Sequence, residues 1–464
     1  MYKRIDKKDI DFFSTFLSSE QVIYGEAMSH DYEHDELGTV SSKPELVLKV
    51  KTSQEVSQIM KYANANIIPV VVRGSGTGLV GGCVAVDGGI IIDISGMNKI
   101  LNLDEKNLVL EVEPGVLLMD IYEYVESRGY FYAPDPGEKT ATIGGNVATN
   151  AGGMRAVKYG VTRDWVVAME VVLPDGEITQ FGRVVAKNST GYSLKDLIIG
   201  SEGTLAIITK IYLKLKAMPE KAISLLVPYN NANEAISSVP KLLQAKLDPT
   251  AVEFFDRNTI GFSESFLGKK FPERRYDAYL LLTFDGMNDE EIQRKADMAA
   301  NLCLNNLGAI DVLIIDTQER KEDVWKARGA FLEAIKASTT QMDECDVVVP
   351  RDRIAEYIEF THYLSEKYQV RIPSFGHAGD GNLHIYICRD SLDEQKWQKV
   401  LIDVFAEMYK KASEIGGLVS GEHGIGYAKK EYMPEILGAK QISLMQGIKK
   451  VFDPNNILNP NKVI

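Results

Sequence analysis

The chain has 464 residues, 45% of them hydrophobic and 25% charged. These are the proportions of a globular protein, at about three times the commonest domain length, so two or more domains are expected. The net charge of −13 argues against a nucleic-acid binder, which must neutralise phosphates with a basic surface.

Four dispersed cysteines with no C-x-x-C pair exclude an iron–sulfur cluster of the usual spacing. The start, MYKRIDKKDIDFF, has no apolar leader, and no window reaches ~18 uninterrupted apolar residues. A cytoplasmic protein without a membrane span is expected.

In chain order, the first forty residues are polar and acidic. His30 and His34 in SHDYEHDELG stand at i, i+4, but Asp31, Asp35 and the following glycine predict a solvated loop rather than a metal pair. KPELVLKV reads as extended. TSQEVSQIMKYANA carries Val56, Ile59, Met60 and Ala63 at helical spacing behind a Thr52/Glu55 capping box. IIPVVVR is a β-branched buried strand.

VVVRGSGTGLVGGCVAV follows, with Gly74, Gly76, Gly78, Gly81 and Gly82 exposing backbone N–H groups that suit phosphate oxygens. Arg73 offers a charge, and Ser75 and Thr77 offer hydroxyls. Gly76, Gly78 and Gly81 match G-x-G-x-x-G, yet the nucleotide-binding fingerprint needs a helix next. The sequence continues instead as VAVDGGIIIDIS, so the Rossmann reading fails on context. Strands are predicted at GIIIDIS, LVLEVEPG, VVAMEVVLPDG and LAIITKIYLKLK. Two more glycine clusters lie among them, TATIGGNVATNAGG (Thr140–Gly153) and GSEGTLAIITK (Gly200–Lys210). Three clusters imply a large, flat, polyphosphorylated cofactor better than a mononucleotide.

After AMPEKA the texture changes to an α+β pattern with few glycines: NEAISSVPKLLQAKL, AYLLLTFDG, IQRKADMAANLCLNNLG and DVLIIDT. In DEQKWQKVLIDVFAEMYKKASEI, the stripe of Trp397, Val400, Leu401, Val404, Phe405 and Met408 reads as core. SFGHAGDGNLHIYICRD holds two of the six histidines, His377 and His384, around a glycine turn. SGEHGIG adds Glu422 and His423. Two imidazoles and a carboxylate make a three-ligand site for zinc, iron(II) or manganese(II) with an open position; the competing reading is a hydrogen-bonded turn.

The order RGSGTGL, PDPGEKTATIGGNVATNAGG, YG, NSTGY, GSEGTLAIIT, HAGDGNLH and SGEHGIG resembles the FAD-linked D-2-hydroxyacid dehydrogenases, from about Lys43 to Lys462. The resemblance implies a vanillyl-alcohol-oxidase (PCMH)-type FAD-binding domain with an α+β cap. Residues 1–42 would be an N-terminal segment, 43–218 the FAD domain, 219–411 the cap, and 412–464 a segment completing the active site. Cofactor contacts are expected from Arg73, Gly74, Ser75, Gly76, Thr77, Gly78, Leu79, Pro134, Thr140, Gly144, Gly145, Asn146, Thr149, Gly152, Gly153, Tyr159, Gly160, Glu202, Gly203 and Ile208. No histidine lies between Gly74 and Val86, so the FAD is expected to be non-covalent. Ala206, where the family has glycine, is a small departure.

By the same resemblance His377, His384 and Glu422 are metal ligands and His423 is the general base. Arg328 of WKARGAF binds the substrate carboxylate, and Asn382 orients substrate or ligand. Relatives acting on a dicarboxylate carry threonine and lysine shortly after the arginine. Leu332 and Asp343 stand there in this chain, which weakens the 2-hydroxyglutarate reading and favours a small 2-hydroxyacid such as D-lactate; dehydrogenation of 2-hydroxyglutarate or glycolate is the alternative. The implied acceptor is an electron-transfer flavoprotein, with an iron–sulfur subunit or a quinone as alternatives, and homo-oligomers are among the expected assemblies. Alkyl-glycerone-phosphate synthase, with a run of histidines in place of GEHG, and a flavoprotein electron carrier without its own substrate are the competing readings.

Overall fold

The structure is a computed structural model that describes residues 2–36, 38–315 and 317–464. Leu37 of the early polar stretch and Asp316 of DVLIIDT lie outside the described residues. The chain divides into two units. The first comprises Met1–Ala151, Val161–Met218 and Glu422–Ile464; the second comprises Gly152–Gly160 and Pro219–Gly421.

In the first unit, the β-branched runs build a sheet in the order Val22–Ile23, Leu46–Lys49, Ile90–Asp93, Val70–Arg73. Its last three strands are parallel. The helix Ser53–Asn66 starts at the Thr52/Glu55 capping box, as its sequence predicts. It lays Val56, Ile59, Met60 and Ala63 on Leu46, Leu48, Ile90 and Ile92, all fully buried. Each of these side chains larger than alanine contributes roughly 1.5–3 kcal/mol of burial. The proline-punctuated tail joins this core: Val70 N–H donates to Ile457 O at 2.8 Å, and Asn459 N–H donates to Val70 O at 2.7 Å.

A second, five-stranded antiparallel sheet of the first unit runs Ile100–Asp104, Val109–Val112, Ile207–Lys214, Val166–Val172, Ile178–Gly182. No helix follows the first glycine cluster. The chain turns through Gly81, Gly88 and Gly89, all at positive φ, and enters the strand Ile90–Asp93, the context on which the Rossmann reading fails.

The second unit is built on a seven-stranded antiparallel sheet in the order Leu313–Ile315, Lys221–Tyr229, Ala278–Gly286, Ala251–Asp256, Ser374–His377, Asn382–Cys388, Met342–Val348. Strand alternation sorts its residues onto two faces. One face carries Phe255, Tyr279, Leu281, Phe375 and Tyr386 under Val324, Ala327, Phe331 and Ile335 of the helices Gln318–Gly329 and Phe331–Ala337. Helices Ala232–Gln244, Asp289–Asn306, Ile354–Tyr368 and Glu394–Glu414 cover the other. Trp397, Leu401, Val404 and Met408 are buried there. The boundary expected at 411/412 falls at Gly421/Glu422, because the segment after the last of these helices stays with this sheet. Leu418 N–H donates to Val348 O at 2.8 Å, and Ser420 and Gly421 are hydrogen-bonded to Asp346.

Candidate active site

In the first unit, local hydrogen bonding draws the three glycine clusters together. Ser75 Oγ donates to Thr140 O at 2.7 Å, joining the first cluster to the second. Gly74 lies so close to the second cluster that a Cβ there would meet Thr142 Oγ1 at 2.2 Å. Thr142 caps the helix Ile143–Thr149, which carries Gly144, Gly145, Asn146 and Thr149. The third cluster closes on the C-terminal end of that helix: Gly200 N–H donates to Val147 O at 3.0 Å and Glu202 N–H to Ala148 O at 2.8 Å. Ile208 begins the strand alongside, and Gly203, at φ +70°, has nothing nearer its Cβ position than Asn459 Nδ2 at 4.0 Å. Pro134 O accepts from Tyr122 Oη.

Two buried polar atoms of this cradle, Asn146 Nδ2 and Ser201 Oγ, have no hydrogen-bond partner among the described residues. Buried donors of this kind are paired in native proteins, so they await a ligand. With open backbone at Gly78 and Gly203, they fit the oxygens and ring edges of FAD. Arg73 makes contacts within the loop. Its NH1 donates to His34 O at 2.8 Å and its guanidinium packs over Tyr32, so the charge braces the loop from within. His30 opens a 3₁₀ turn that His34 follows, and His34 Nδ1 lies 2.8 Å from Asp35 O.

The segment after Glu422 belongs to this cradle. Both oxygens of buried Glu202 accept backbone N–H groups, from Ile425 at 2.7 Å and Gly426 at 2.8 Å. Burial pushes the Glu202 carboxyl up, and those N–H groups act against the rise. Glu422 and His423 are partly buried, with 3.8 Å between His423 Nε2 and Glu422 Oε1. Asn459, which sequence reasoning left in an unremarkable tail, donates from Nδ2 to both Gly82 O and Glu202 O, at 3.0 and 2.7 Å.

In the second unit, sheet register assembles the rest. Across neighbouring strands Glu253 faces His377, His377 faces Asn382, and His384 faces Asp346. These residues therefore stand on one face, all buried. His377 Nε2 and His384 Nε2 are 3.4 Å apart. Two metal–nitrogen bonds of about 2.1 Å at the tetrahedral angle separate their nitrogens by roughly 3.4 Å, so this pair fits a divalent ion. Behind the His377 ring Glu253 Oε1 lies 2.7 Å from Nδ1, the support that metal-binding imidazoles require, and Glu344 Oε1 approaches His384 Nδ1 at 3.3 Å as an ion-pair contact. Tyr386 Oη donates to Glu344 at 3.0 Å, and burial pushes that phenol well up.

Arg328, at the end of its helix and 8% exposed, donates from Nε to Glu253 Oε2 at 2.8 Å and pairs with the same oxygen through NH2 at 2.6 Å, with its guanidinium over Phe375. Burial opposes ionisation of Glu253, but His377 and Arg328 outweigh it and hold the carboxyl below its ordinary value. Asn382 Nδ2 donates to Asp346 Oδ1 at 2.6 Å and Val347 O at 3.0 Å; Asp346 Oδ2 accepts Ser420 Oγ and Gly421 N–H at 2.8 and 3.0 Å. Leu332 packs against the apolar cluster. Asp343 alternates onto the opposite face from Glu344 and Asp346, so of the two residues expected to bear on substrate size only Leu332 is on the site's side. Gly152, Gly153, Tyr159 and Gly160 belong to this unit, and Tyr159 Oη donates to Asp285 Oδ2 at 2.8 Å.

Sequence reasoning missed Glu253, Glu344 and Asp346. The available signal was acidic residues inside otherwise apolar strands, AVEFFD and MDECDVV, since buried carboxylates demand partners.

Comparison with known proteins shows the family. Residues 218–463 match the family described as FAD linked oxidases, C-terminal domain, and residues 44–182 match the family described as FAD binding domain. The chain is 47% identical over 468 residues to D-lactate dehydrogenase of Anaerostipes hadrus, covering 100% of this chain and 98% of that protein. It is 38% identical over 434 residues to glycolate oxidase subunit GlcD of Bacillus subtilis (strain 168), covering 93% and 91%. The solved structure of p-cresol methylhydroxylase with substrate bound superposes with a TM-score of 0.81 at 16% identity, covering 100% of this chain and 98% of that one. At that identity the likeness shows the fold alone, the PCMH-type FAD-binding fold with an α+β partner that the motifs imply. The chain belongs to the FAD-linked oxidases and is an FAD-dependent oxidoreductase.

Proposed function

We propose that the protein is an FAD- and divalent-metal-dependent dehydrogenase that oxidises a D-2-hydroxyacid, D-lactate to pyruvate. The observation that carries this reading is the convergence of His377 Nε2 and His384 Nε2 at 3.4 Å, one carboxylate away from the buried fork of Arg328. Oxidising a 2-hydroxyacid needs a cation for the carboxylate, a proton acceptor for the hydroxyl and a hydride acceptor for C2. When bound, non-covalent FAD supplies the hydride acceptor at N5, and the divalent ion polarises the hydroxyl.

The chain's own residues do the rest. Arg328 uses two donors on Glu253, and a guanidinium has five, so N–H groups remain for the substrate carboxylate. Asn382, fixed by Asp346, orients the substrate. His423 takes the hydroxyl proton on an imidazole nitrogen. His377, His384 and Glu422, the residue following the Asp346-bound Gly421, hold the ion. Leu332 offers no donor to a second carboxylate, which supports a small monocarboxylate over 2-hydroxyglutarate. The names of the two relatives above, a D-lactate dehydrogenase and a glycolate oxidase subunit, support the same substrate class.

Electrons leave to an external carrier, an electron-transfer flavoprotein, in the cytoplasm. Among the described residues no helix is long and apolar enough to cross a membrane. The test is anaerobic bleaching of the flavin by a panel of D- and L-2-hydroxyacids, before and after chelation. Rapid bleaching by D-lactate, lost on chelation and restored by metal, is expected. Bleaching that ignores the chelator, or that no D-2-hydroxyacid produces, overturns the proposal.

A further inference from the structure

We propose that Glu253 is a positioning residue that fixes the tautomer of His377 and the fork of Arg328 with one carboxylate. The inference rests on the metal and substrate reading above. Glu253 is 0% exposed, in the middle of a buried strand and directly opposite His377 in register. Its two oxygens are divided between two partners: Oε1 meets His377 Nδ1 at 2.7 Å, and Oε2 takes Nε and NH2 of Arg328 at 2.8 and 2.6 Å.

The chemistry follows from what a carboxylate can do. It only accepts, so the His377 proton must sit on Nδ1, and the Nε2 lone pair is left facing His384. Arg328 supplies the permanent counter-charge, so a neutral imidazole completes the arrangement without leaving a buried anion uncompensated. Metal binding at His377 and carboxylate binding at Arg328 therefore depend on one anchor.

Glu253→Gln separates the two roles. An amide offers one acceptor and one donor in place of two acceptors. With its oxygen on the two Arg328 donors, its NH2 opposes His377 Nδ1 and forces the proton to Nε2, the metal-facing atom. The expected results are a 10–100-fold weaker affinity for Mn²⁺, kcat recovered within about threefold by excess metal, and KM for the 2-hydroxyacid within about threefold at saturating metal. Glu253→Ala, which also frees the guanidinium, raises KM at least roughly tenfold.

Mn²⁺ alone is titrated into flavin-loaded, chelator-stripped protein and read from the EPR amplitude of the free ion. A purely structural role would lower flavin occupancy and thermal stability without this metal-rescued split. His377→Ala, measured in parallel, isolates the underlying reading. If it leaves Mn²⁺ affinity intact, the metal assignment itself fails and takes the proposal with it. If it abolishes binding while Glu253→Gln stays within twofold of wild type, only the role of Glu253 is overturned. Should Glu253→Gln not fold, ¹⁵N-histidine NMR of the metal-free wild-type protein decides. His377 in the Nδ1–H tautomer supports the proposal, and Nε2–H overturns it.

Discussion

Asp346 gives the sharpest perturbation, because a fully buried carboxylate there accepts from three groups at once. Asn382 Nδ2, Ser420 Oγ and Gly421 N–H approach it at 2.6, 2.8 and 3.0 Å. Asp346→Asn keeps the shape and retains an acceptor for Asn382, but turns an NH2 toward Ser420 and Gly421. The serine hydroxyl can rotate to accept; the Gly421 amide cannot. One buried donor left unsatisfied costs about 1–3 kcal/mol, and hydrogen bonds to a charged acceptor lie at the upper end.

Relief from desolvating the anion acts against that loss, so the expected net destabilisation is about 2–3 kcal/mol. For a unit of some 200 residues, that lowers Tm by roughly 4–12 °C. Gly421 leads directly into Glu422 and His423, and a shift of about 1 Å in reacting groups costs on the order of 100-fold. Calorimetry on the flavin-loaded protein measures the first effect, and anaerobic flavin bleaching measures the second. A variant that melts within 2 °C of wild type and bleaches within threefold of its rate refutes the reasoning.

Gly74→Ala would thrust a methyl into Thr142 Oγ1, an overpacking worth about 1–3 kcal/mol; flavin affinity should fall roughly tenfold, and a dissociation constant within twofold of wild type counts against the cradle. Arg328→Lys keeps the charge but loses the planar fork, so KM for the 2-hydroxyacid should rise on the order of 10–100-fold with flavin occupancy unchanged. Steady-state kinetics that show no change in KM would remove Arg328 from the substrate site. Burial pushes the Lys462 ammonium down to about 8 from 10.5. Between those values the unfolded chain holds the proton that the native chain has released, so this residue's contribution to stability rises with pH, by up to ~3 kcal/mol. Urea unfolding of wild type against Lys462→Met across pH 7 to 11 should give a difference that climbs through this window, and a flat difference refutes it.

The parts of this molecule that were readable from sequence are those whose physics is local. The helix Ser53–Asn66 announces itself by a capping box and its 3.6-residue period. The glycine clusters advertise backbone that a ligand or a neighbouring chain must approach closely. His377 and His384 are a hairpin apart, so their spacing already brings them together. Glu253 is different: its partner His377 lies 124 residues on, and only strand register reveals the pairing. Arg73 carries a contact that sequence does not show: nothing local reveals that the carbonyl of His34, 39 residues earlier, accepts from its guanidinium. The side of the strand on which Asp343 stands is set by the pleat, and only the register with the neighbouring strand fixes it.

The contacts that close the flavin cradle also impose an order of assembly. Glu202 reaches Gly426 across 224 residues, and Asn459 reaches Gly82 across 377. Loop-closure entropy makes such contacts late and slow to form. During synthesis the seven-stranded unit emerges with most of its partners in hand, whereas the cradle waits for pieces made after it. Newly made chains thus pass through an interval as half-finished apoproteins, with apolar surface exposed. Scarcity of the vitamin-derived cofactor should consequently register first as aggregation and proteolytic loss, before any deficit in turnover is felt.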